Sequence, residues 1–125
     1  MYIYESVCIG LYVLILYKFL RLFQIKNIYV FLFVLGVLKH YISYLLNIHT
    51  YYCKYGNACK KYMLNEKKKD YIIVESIGEG ILFIIVGQLI FYMNKELAMF
   101  LIGFSLHFLF EIFGIHDAFC LNRCV

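Results

Sequence analysis

The sequence contains no proline and no tryptophan, and charged residues make up only 16% of it. A soluble domain carries about 25% charged and roughly 45–50% apolar residues. Here 64% of residues are hydrophobic, 20% are aromatic and the mean hydropathy is +0.77. So little charge excludes a soluble globular domain, a disordered chain and a disulfide-held secreted mini-protein with a thin core. The length, 125 residues, suits one domain in a bilayer. The missing Pro and Trp, set against 13 Tyr and 12 Phe, read as AT-rich coding of the kind found in some viruses and parasites. That bias is compositional and carries no mechanism.

Several signatures of chemistry are missing as well. There is no G-x-S-x-G, no P-loop, no H-E-x-x-H and no C-x-x-C, and the histidines do not cluster as in membrane desaturases. An enzyme of those classes is not expected. The N-terminal stretch lacks a basic n-region and an A-x-A-like cleavage site, so the first apolar segment reads as an uncleaved span. No window alternates with period two in the manner of a barrel strand.

What is present is long apolar runs. A transmembrane helix needs ~20 apolar residues to cross a hydrocarbon core about 30 Å thick. Four windows qualify, at about Ile3–Phe23, Ile28–Ile48, Tyr71–Met93 and Leu97–Ile115. Helices are the expected form, because each span must satisfy its own backbone polar groups. The only long polar stretch, about 47–70, includes Lys67-Lys68-Lys69 and reads as a solvated loop. Its basic residues belong to a membrane-protein loop, and no nucleic-acid partner is expected.

The chain also repeats itself. Gly36, His40, His49 and Cys53 match Gly103, His107, His116 and Cys120 at an offset of 67 residues. Glu5-Ser6 and Gly10 match Glu75-Ser76 and Gly80 at an offset of 70. Every histidine falls in register. The predicted fold is therefore all-α: an integral membrane four-helix bundle of two tandem helical-hairpin repeats with parallel pseudo-two-fold symmetry. Repeat one covers about 2–59, a basic loop about 60–70, and repeat two about 71–125. Both cysteine tails, both Glu-Ser starts and the lysine loop then share one side, here side A; the two hairpin turns lie on side B. Basic residues favour side A, which places it in the cytoplasm by the positive-inside rule. The absence of an N-x-[ST] sequon agrees weakly with that side. Clustered cysteines favour an oxidising compartment instead.

Three sets of residues stand out. Lys39, His40, Glu75, Glu79, His107 and Glu111 lie within spans, where ionisable groups are costly and should face inward with partners. Lys39 is expected to pair with Glu79 or Glu111. His40 and His107 each follow a glycine by four residues; that flat patch suits close helix packing, or a planar ligand such as haem b held by one imidazole from each half. A nine-residue spacing, about 900° of rotation, keeps His40 and His49 off a common face of a continuous helix. On side A, Cys53–Cys59 and Cys120–Cys124 are the expected disulfide pairs. His49, Cys53, His116 and Cys120 form the alternative, a structural zinc set. Free thiols are the third reading, and Cys8 reads as a small apolar filler within the first span. Asn47 and Gly114 are the positions that tolerate a left-handed helix end.

The expected function is a small polytopic membrane protein without enzymatic activity, either a structural or assembly component or a channel-like module. Its partners are the lipid bilayer and, through side A, further copies or other membrane proteins. The alternative is a membrane redox protein using His40 and His107 or the side A cysteines.

Overall fold

A computed structural model describes residues 2–63, 71–90 and 92–124; the Lys67-Lys68-Lys69 run lies outside the described residues. All the elements are helical. Helix α1 spans Tyr2–Leu20, with Glu5 in its first turn and Lys18 in its last, each complementing the helix dipole. A 3₁₀ turn over Arg21–Phe23 leads to α2, Ile28–Leu45. The Asn27 side chain caps α2 by accepting from the backbone N–H groups of Tyr29 and Val30, at 2.9 and 3.2 Å. Helices α3 (Ile48–Tyr55) and α4 (Asn57–Lys60) follow, then α5 over Ile72–Ile90. Helix α6, Lys95–Ile112, is capped by Asn94, which accepts from Glu96 and Leu97 at 3.0 and 3.3 Å. Helix α7 is Ile115–Arg123. A side-chain cap of this type contributes about 1 kcal/mol.

Among the described residues, α1, α2 and α5 are long and apolar enough to cross a membrane. Sequence reading expects four spans. Helix α6 carries Lys95, Glu96 and Glu111, and it qualifies only together with α7, from which it is bent by 76°. The windows expected to run on to Ile48 and Ile115 stop at Leu45 and Ile112. At each break one residue takes a left-handed conformation, Asn47 at φ 57° and Gly114 at φ 74°.

Helices adjacent in sequence are not the main packing partners. Helix α1 lies chiefly against α6, and α2 against α5. The crossings are made by glycines, whose missing side chains let the helix backbones approach closely. A Cβ on Gly36 would sit 2.7 Å from the Gly80 Cα and 2.8 Å from the Glu79 carbonyl oxygen. One on Gly103 would sit 2.9 Å from the Ile9 carbonyl oxygen and 3.1 Å from the Gly10 Cα. The buried core, with Val13, Leu16, Leu20, Phe31, Leu32, Leu35, Met99 and Ile102, fills the side B half. Outward stripes of large apolar residues run along α1 (Val7, Leu11, Ile15, Phe19) and along α5 (Ile77, Ile81, Ile85, Leu89).

Candidate functional site

The helix breaks create the site. On a straight helix His40 and His49 would point to opposite sides, as the nine-residue spacing predicts. The left-handed residue at Asn47 turns α3 back, and the two rings come to 4.7 Å between centroids. Gly114 does the same for His107 and His116, whose centroids are 4.4 Å apart. The four histidines thus form one pair in each half. All four histidines line one cavity of about 450 Å³ on side A, together with Lys39, Glu75, Glu79 and Arg123. Gly78 also lines it, and a Cβ there would meet nothing within 4 Å.

Charged groups along one wall form a chain of partners. Lys39 is ion-paired to Glu79 Oε1. The other Glu79 oxygen lies 2.8 Å from His40 Nδ1, and Glu75 Oε2 lies 3.0 Å from His40 Nε2. Arg123 Nε donates to Glu75 Oε1 at 2.9 Å, tying the end of α7 to α5. Glu111 does not join this chain. Its Oε1 accepts from the Tyr52 hydroxyl at 2.9 Å and lies 3.1 Å from His116 Nδ1. His107 Nε2 is 3.2 Å from Glu5 Oε2. Burial, with the carboxylates of Glu111 and Glu5 nearby, pushes the Tyr52 hydroxyl far above the usual tyrosine range. At the rim, Lys61 pairs with Asp117 at 2.9 Å, and that partner raises the lysine pKa.

The cysteines pair in a pattern the sequence reading does not anticipate. The disulfides are Cys53–Cys124 and Cys59–Cys120, with Cα atoms 5.7 and 5.1 Å apart, not Cys53–Cys59 and Cys120–Cys124. Each tail folds as a helix that docks on the other tail, so the nearest sulfur lies across the interface; α4 packs on α7. With Tyr52, Tyr62 and Phe119 they make a second buried cluster. Two of the four ligands of the expected zinc set, Cys53 and Cys120, are thereby consumed. His49 and His116 remain beside the cavity. Cys8 is not a core filler: it is exposed on the outer face of α1.

Glu5, Tyr52 and Arg123 belong to this site and escape the sequence reading. Glu5 carried a usable signal, since it aligns with Glu75 as His107 aligns with His40. A buried Tyr52 carries none in a chain with 13 tyrosines. No family model, no curated protein and no solved structure matches the chain.

Proposed function

We propose that the chain is a multi-pass integral membrane protein built from two fused helical hairpins in parallel orientation, acting as a non-enzymatic membrane component. Its working part is the side A vestibule. One observation carries this reading: a cavity of about 450 Å³ lined by histidines, carboxylates and basic groups, in a chain with three helices apolar enough to span a bilayer. Ionisable groups at such depth are retained at a cost and face inward with partners. The apolar stripes on α1 and α5 are the matching lipid surfaces.

The two-hairpin reading is supported by contacts that recur at the repeat offsets. Asn27 and Asn94 cap α2 and α6 alike. Gly10 meets Phe100 as Gly80 meets Phe33, and Glu5 meets His107 as Glu75 meets His40. The hairpins are interlaced, each first helix packing on the other hairpin's second.

Conduction and redox chemistry are less well supported. The apolar core fills side B, so the vestibule is closed at that end and favours binding over a pore. Haem ligation by His40 meets two obstacles: both ring nitrogens face carboxylates, and the flat patch at Gly36 is filled by the Gly80 backbone. Thiol exchange with a partner is opposed by burial, the four paired cysteines being 0–5% exposed. Two disulfides favour an oxidising compartment on side A, against the count of basic residues.

Reconstitution into liposomes tests the reading. The expected result is proton and potassium leakage no faster than in protein-free vesicles. A flux that disappears in Glu79→Gln would replace it with the channel-like module. Labelling of the exposed Lys61 by a membrane-impermeant amine reagent from the non-cytoplasmic face alone would support the orientation.

A further inference from the structure

We propose that His107, Glu111 and His116 form a binding site for a divalent transition-metal ion of the zinc class, with its open coordination position facing the vestibule. This goes beyond the reading above. It also uses a different set from the His49, Cys53, His116 and Cys120 combination that the disulfides remove.

One ligand atom from each of the three side chains lies within 4.8 Å of the others. His107 and Glu111 are four residues apart on α6 and share a face. The left-handed turn at Gly114 brings His116 back over that face. The three side chains are only 9–13% exposed, which removes most competing water. His116 Nδ1 is buried and makes no hydrogen bond, although Glu111 Oε1 is 3.1 Å away. A cation between the two atoms would satisfy both. Two imidazoles and one carboxylate are also the donor set of open zinc sites and of related divalent centres, which keep a position for water or another ligand.

Outer partners are in place too. The Tyr52 hydroxyl donates to Glu111 Oε1, and Glu5 fixes the His107 ring from the neighbouring helix. Such contacts orient metal ligands, and losing one lowers affinity about 10–100-fold. The other half of the chain supplies an internal control. There Tyr44 stands at the position of Glu111; His40 Nε2 is likewise buried without a hydrogen bond, 3.0 Å from Glu75, but Glu75 is already paired with Arg123 and Glu79 with Lys39. Only the second half presents the complete set.

The test uses the full chain in detergent with its disulfides intact, stripped by chelator and titrated with Co(II), then with Zn(II) in competition. The expected result is one metal per chain, with visible Co(II) bands that lack a thiolate charge-transfer component. Glu111→Gln and His116→Ala should weaken binding at least about 10-fold, Tyr52→Phe by about 10-fold, and His49→Ala not at all. If a variant does not fold, X-ray absorption of the wild-type zinc form decides, with nitrogen and oxygen neighbours and no sulfur expected. Absence of stoichiometric metal in the wild type, sulfur ligation, or equal loss in His49→Ala and His116→Ala would overturn the proposal.

Discussion

Removing one member of the Lys39–Glu79 pair leaves the other charge against a low-dielectric wall. Truncating one partner of a buried pair costs about 3–5 kcal/mol, whereas replacing both with apolar groups is often close to neutral. Glu79→Leu should therefore lower the unfolding midpoint sharply in detergent, and adding Lys39→Leu should restore most of it. His40 keeps Glu75 as a partner in both variants, which makes the rescue readable. Tyr52 offers a second test at this scale. Its hydrogen bond to the Glu111 carboxylate is of the charged kind, so Tyr52→Phe should cost about 1.5–3 kcal/mol at neutral pH. The folded-state pKa is raised, so this part of the stability is complete below the unfolded tyrosine pKa near 10 and falls as pH rises beyond it. Thermal unfolding of wild type and Tyr52→Phe from pH 8 upward should show the two converging on the alkaline side.

Helices α2 and α5 meet through backbone at Gly36 and Gly80, and that contact has no side chain to yield. Gly36→Val must push the helices apart, at an expected cost of about 1–3 kcal/mol or more. Gly78→Ala, one helical face away and open to the vestibule, should be tolerated and gain up to about 1 kcal/mol of helix propensity. Thermal unfolding of the two variants side by side checks whether the glycines serve close packing or only flexibility. These elements also show how far the sequence is legible. The long apolar helices α1, α2 and α5 follow from their apolar runs, and the breaks at Asn47 and Gly114 from residue type. The partners of each helix do not follow, because a helix apolar all round carries no stripe to say which face meets which neighbour. The vestibule is hidden for a related reason: its histidines come together only because the chain bends ahead of α3 and α7, and periodicity along one helix places them apart. The cysteine pairing is hidden because nearness in sequence, five residues in one tail, lost to nearness across the docked tails.

Over the whole molecule, each disulfide joins the tail of the first half to the tail of the second, at sequence separations of 71 and 61. Closing a loop of that length restricts the unfolded chain by about 4 kcal/mol in the chain-entropy account. Once either bond exists, the other closes only a small ring, so the two contributions do not add. Cys59→Ser or Cys53→Ser alone should each cost much less than both together. Thiol titration of unfolded, unreduced protein should give one group, Cys8, and five after reduction. The crossed pattern also changes what it means to cut the chain. A single peptide-bond break between Cys59 and Cys120, including one in the lysine-rich loop, leaves two fragments that both disulfides still hold together. The nicked protein should migrate as one species without reductant and as two with it, so that the integrity of this molecule in an oxidising compartment belongs to its sulfur links as much as to its backbone.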